Sequence, residues 1–78
     1  MLMTMNEMNI GDKAKVISIS TSPDMIRRLN DIGLIENTYV KCMLKSPSSD
    51  PIAYLIRGAV IALRCDDLKK IIVEREDI

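Results

Sequence analysis

Only one stretch of this sequence, Ser22 to Leu34, has both ends of a helix written into it, and that confines the rest of the chain to short strands and turns. Ser22 offers a hydroxyl to a first-turn amide, Pro23 stands where a missing N–H costs nothing, and Asp24 faces the positive end of the dipole. Met25, Leu29 and Ile32 form one stripe, widened by Ile26, that must be buried. Asp24/Arg28 and Arg27/Asp31 are spaced as i,i+4 ion pairs. Gly33 stops the helix in the left-handed region, and Leu34 then folds back on Leu29 as in a Schellman end.

The remaining segments read as strands. Gly11-Asp12 opens the first, Lys13 to Ser20. There Ala14 and Val16 alternate with lysines before Ile17 and Ile19 take the other parity, which predicts a bulge or a sharp bend. After a turn at Glu36-Asn37, where Asn tolerates positive φ, the second strand runs Thr38 to Lys45. Tyr39, Lys41, Met43 and Lys45 are expected on one face, with Val40, Cys42 and Leu44 on the other. Ser46 to Pro51 is a loop by composition. Ile52–Arg57 and Ala59–Arg64 flank Gly58, Asp66 to Lys70 reads as one helical turn, Ile71–Arg75 closes the fold, and Glu76-Asp77-Ile78 is a polar tail. Met1 to Ile10 reads as a frayed start with one or two methionines plugging the core. A mostly β fold of about five strands follows, and a chain this small removes its sticky edges best by closing into a barrel.

Composition narrows function. The 78 residues make one small domain, 47% apolar, with 11 basic and 11 acidic side chains. That balance lacks the basic excess of a phosphate-binding surface. No apolar run approaches the roughly 20 residues of a membrane span, and the start lacks the basic region of a signal peptide. The two cysteines, Cys42 and Cys65, do not make a disulfide framework, so both read as reduced thiols used as small hydrophobes in a cytoplasmic protein. With no histidine, the commonest general base and neutral metal ligand is missing. There is no CxxC, and the acidic neighbours of Cys65 raise its pKa, which disfavours a reactive thiolate. No glycine-rich phosphate cradle is present. Two tyrosines, with no Trp or Phe, build neither a polyproline groove nor a base-stacking platform. The chain therefore reads as a non-enzymatic binding module with no cofactor, metal or nucleic acid. Its candidate contacts are Lys41 and Lys45 on one strand face, with Arg57 on the neighbouring strand, and the loop Pro47, Ser48, Ser49, Asp50, Pro51.

In order, Gly11, Ala14-Lys15-Val16, Arg28-Leu29, Ile32-Gly33-Leu34, Pro47…Asp50-Pro51, Ala62-Leu63-Arg64 and Ile71/Val73-Glu74 resemble ferrous iron transport protein A, the FeoA family, from about Met8 to Glu74. The chain departs from that pattern at Glu36-Asn37, where the family usually has Pro-Gly, near Ser49, where it often has Gly, and at Leu68, where Ala is common. The resemblance implies an SH3-like barrel in which Arg28, Leu29, Gly33, Leu34 and Arg64 serve the framework. It further implies a cytosolic accessory of bacterial ferrous iron uptake, whose partner is the large membrane transporter with a cytosolic GTP-binding domain. Self-association is compatible with the sequence. The rival expectation is a regulatory module like the C-terminal domain of metal-dependent transcription repressors.

Overall fold

The helix forms where its ends are encoded. In the computed structural model, which describes residues 1–76, α1 spans Pro23–Asp31. Asp77 and Ile78 of the expected polar tail lie outside the described residues. The Met25 amide donates to the Ser22 hydroxyl at 3.2 Å. At the other end the Leu34 amide reaches the Leu29 carbonyl and the Gly33 amide reaches the Asn30 carbonyl, both at 2.9 Å. Gly33 sits at φ 90°, and Leu29 and Leu34 are both buried, completing the Schellman end. The ion pair that forms on α1 is Arg27–Asp24 at 3.7 Å, three residues apart, in place of the expected pairs four apart. Both its side chains are exposed, so it contributes little.

Six antiparallel strands make up the sheet: β1 (Leu2–Thr4), β2 (Lys13–Ile19), β3 (Tyr39–Lys45), β4 (Ile52–Ile56), β5 (Ala59–Leu63) and β6 (Ile71–Arg75). A short helix, α2 (Cys65–Leu68), precedes β6, and a single 3-10 turn covers Met5–Glu7. The strand order is β1-β6-β2-β3-β4-β5, which corrects two expectations. The start of the chain is not frayed: Met3 pairs with Val73 in a sixth strand. The sheet also does not close into a barrel; β1 and β5 remain its two edges. The reason is local. The Glu7 carboxylate accepts the Thr4 amide at 2.9 Å and the Thr4 hydroxyl at 2.8 Å, turning the chain out of the sheet after three residues.

Side chains fill what backbone pairing leaves open. Met5 and Met8 are fully buried, and the Tyr54 hydroxyl donates to the Met5 carbonyl at 2.7 Å. They join Ala14, Val16, Val40, Cys42, Ile52, Ile56, Ile71 and Val73 from the inner sheet face, together with Leu29, Leu34 and Leu68 from the helices and their ends. Burial pushes the Tyr54 phenol above its usual value of 10.0. A folded-state pKa above the unfolded one adds stability that is complete below about pH 10 and drains away as pH rises past it. Tyr54→Phe leaves the Met5 carbonyl with only the longer bond from the Met8 amide, at 3.3 Å, and should cost about 1–2 kcal/mol at neutral pH. Urea titrations of both chains at rising pH should show that gap shrinking above about pH 10. A constant gap would mean that Tyr54 is not held in its neutral form.

Two bulges decide which side chains face out. β2 slips against β6 between Val16 and Ser18, as its broken alternation predicts, and Ile17 turns outward. β3 slips against β4 between Cys42 and Leu44. This second slip reverses the expected inward position of Leu44, which is 64% exposed. It also separates the two lysines of that strand. Lys41 pairs with Leu55 on the outer face, whereas Lys45 pairs with the buried Ile52. The β4–β5 connection takes one residue more than the expected Gly58, because β4 ends at Ile56. Arg57 and Gly58 alone make it, at φ 48° and 85°, the two positive angles of a type I′ hairpin.

Candidate functional site

The outer face of β2, β3 and β4 carries the groove that the expected contact residues help to build. Cross-strand register sets Lys13 opposite Lys41, Lys15 opposite Tyr39, and Lys41 beside Leu55. A groove of about 390 Å³ runs there, lined by Lys13, Tyr39, Lys41, Leu55 and Arg57, with one acid, Glu76. Like charges directly opposite on a sheet are unfavourable. Neither lysine finds an ion pair among the described residues. Tyr39, 57% exposed, adds a broad apolar body with a polar tip. Cations around an open apolar floor suit an acidic surface with an apolar anchor.

Arg57 reaches this groove from the hairpin turn and not from a strand. Its Nε donates to the Gly33 carbonyl at 3.0 Å, and a terminal guanidinium nitrogen lies 3.5 Å from the Thr38 hydroxyl. It ties the hairpin to the negative end of α1, where a cation is favourable. Lys45, expected beside Lys41, is not in the groove. Its charge instead acts on Cys42, whose thiol is pushed up by burial and pulled back by Lys45.

The Pro47–Pro51 loop lies elsewhere and is internally fastened. The Ser49 amide donates to the Ser46 carbonyl at 2.7 Å and the Asp50 amide to the Ser46 hydroxyl at 2.9 Å. The Ser48 hydroxyl donates to the Asp50 carbonyl at 3.2 Å. Pro47, Ser48, Ser49, Asp50 and Pro51 are exposed, yet the loop is clamped to α2. Asp50 Oδ1 accepts the Cys65 amide at 3.1 Å, and the Cys65 thiol donates to the Ser49 carbonyl at 2.9 Å. Burial, then the Asp50 charge, pushes the Cys65 thiol up, which keeps it a hydrogen-bond donor. Cys65 is thus a half-buried fastener and not the core hydrophobe expected. Ser49 sits at φ 63° and Asn37 at φ 73°, both in the left-handed region that favours glycine.

Leu29, Gly33 and Leu34 make the end of α1, while Arg28 is exposed on its surface. The Arg64 carbonyl accepts the Asp67 and Leu68 amides at 3.0 and 3.1 Å, opening α2. Sequence reasoning missed Lys13, Tyr39 and Leu55 as groove residues. Alternation marks Lys13 and Tyr39 as outward-facing, but only the long-range register sets them side by side. Among the described residues, no group of three or more Cys, Asp or Glu is placed to hold a metal ion, and no helix is long and apolar enough to cross a membrane.

Comparison with known proteins fits this geometry. Residues 3–75 match the model of the FeoA domain. A FeoA-like protein from Clostridium acetobutylicum is 34% identical, with 99% of this chain and 90% of that one covered, at a TM-score of 0.88. FeoA from Stenotrophomonas maltophilia, described as a prokaryotic SH3 domain protein and a proposed ferrous iron transport activating factor, is 26% identical. That match covers 92% of this chain and 89% of the other at a TM-score of 0.75. A manganese-dependent transcriptional repressor shares the fold at 22% identity and a TM-score of 0.88, over 96% of this chain but 37% of its own. No protein among curated ones matches. The match across nearly every described residue, and the shared SH3-like architecture, lead to one assignment: the chain belongs to the FeoA domain family.

Proposed function

We propose that this protein is a cytosolic accessory of bacterial ferrous iron uptake, acting by docking on the membrane iron transporter through that transporter's GTP-binding region. The observation that carries the reading is the FeoA domain match over residues 3–75. The paired Lys13 and Lys41 around an open apolar groove support an acidic docking partner. In this reading the chain supplies contacts and no chemistry, and transport is altered through the occupied interface.

The test is retention of the transporter from solubilised membranes on immobilised protein, with and without guanine nucleotide. Retention in neither condition would sink the proposal. Lys41→Glu should weaken retention at least about tenfold, because like-charge juxtaposition at an interface costs several kcal/mol. Lys45→Glu, on the other face of the slipped strand, should leave retention unchanged. Both variants should melt within about 0.5 kcal/mol of wild type, as surface substitutions do. Equal losses from both would place the docking surface elsewhere.

A second reading follows from the fold shared with the manganese-dependent repressor. Here the protein is a regulatory module working beside a DNA-binding chain. Co-purification with a winged-helix protein, and not with the transporter, would favour it.

A further inference from the structure

The open sheet leaves β5 as an edge with none of the usual protection. Edge strands are normally kept short, charged, bulged or covered. The opposite edge, β1, has three residues and is ended by the 3-10 turn. By contrast β5 is Ala59-Val60-Ile61-Ala62-Leu63, without a charge, and pairs with β4 over five consecutive positions without a slip. The two-residue turn makes Ile56–Ala59 a hydrogen-bonded pair, so Tyr54–Ile61 and Ile52–Leu63 are hydrogen-bonded too. The N–H and C=O groups of Val60 and Ala62 therefore point away from β4. Among the described residues no other backbone hydrogen bond uses them. Ala59, Val60 and Ala62 are exposed.

We infer that β5 is a strand-pairing site that takes an extended segment of a protein partner, apolar at alternate positions and acidic at both ends. The acidic ends follow from charge. Arg57 and Arg64 stand at the two ends of β5, and both are exposed. Arg57 is already bonded, but to the neutral acceptors of Gly33 and Thr38, so its charge is uncompensated. A second copy of the chain fits poorly. An antiparallel pair centred on Ile61 would set Arg64 of one copy opposite Gly58 and next to Arg57 of the other, gathering like charges at both ends. The partner strand would extend the outer row that already runs Lys13, Lys41, Leu55, Val60. Main-chain bonds to Val60 and Ala62 would supply affinity, and the flanking arginines the choice of partner. This deepens the docking reading and rests on it, but its test is made on the isolated chain, so its failure is separate from failure to retain the transporter.

The test is amide exchange of the labelled protein with two synthetic peptides of alternating valine and threonine, one flanked by aspartates and one by lysines. The aspartate peptide should slow exchange at Val60 and Ala62 about tenfold when it occupies about nine-tenths of the edge. The lysine peptide should not. Ala62→Pro removes only an outward N–H, a position where an edge strand tolerates proline, and should abolish the effect. Val60→Glu is a second variant with no backbone change, which sets a like charge against the aspartate peptide and should give the same loss. No slowing with either peptide, or equal slowing with both, overturns the assignment. So does slowing that appears without peptide and grows with protein concentration, because the occupant would then be a second copy.

Discussion

Replacing Gly33 with valine should lower the melting temperature by roughly 12–24 °C, the shift expected for a loss of about 3 kcal/mol in a domain of this size. Two costs combine at this position. The backbone sits at φ 90°, where L-residues pay about 1–2 kcal/mol and β-branched ones more. A Cβ there would also lie 2.6 Å from Arg57 Cδ, so the arginine must move and give up its bond to the Gly33 carbonyl. Gly58 separates the two costs. It has a similar φ of 85°, but nothing lies within 4 Å of its Cβ position. Gly58→Ala should therefore show the backbone cost alone, and Gly33→Ala should exceed it. Adding Arg57→Ala should shrink the excess. Equal melts for the two alanine variants would mean that Arg57 does not press on the helix end.

Met5→Ala should cost about 2–5 kcal/mol, the range for emptying a buried methionine site. Replacing a methionine in a frayed segment would cost under about 0.5 kcal/mol, as for any surface change; the expectation of one or two methionines plugging the core agrees with the burial of Met5 and Met8. Met5 is fully buried, and with Met8 it belongs to the hydrophobic core. Its carbonyl still accepts the Tyr54 hydroxyl after substitution, so this loss is distinct from that of Tyr54→Phe. Urea unfolding measures it directly. The midpoint should fall while the slope stays constant, because the surface exposed on unfolding hardly changes. An unchanged midpoint would show that the turn does not plug the core in solution.

What the sequence made legible was what neighbouring residues decide among themselves. Ser22, Pro23, Gly33 and Leu34 act within a few residues of one another, so α1 and its end could be read directly. The bulge near Ile17 was also readable, because the parity of β2 breaks within the strand. The slip between Cys42 and Leu44 was not, because β3 keeps its alternation and the slip exists only against β4. The same long-range pairing parts Lys45 from Lys41 and makes neighbours of Lys13 and Lys41. β1 escaped notice because Met1 to Met5 has no alternation of its own; the complementary edge of β6 makes it a strand. Asp50 looked like a loop residue, and its cap on α2 joins positions 15 apart.

The pairing of β1 with β6 also brings the polypeptide back to where it began. The Arg75 amide donates to the Met1 carbonyl at 3.1 Å, and the Met1 amine lies 3.8 Å from the Glu74 carboxylate. A unit whose entry and exit points sit side by side can be spliced into a surface loop of another protein without prying that loop apart.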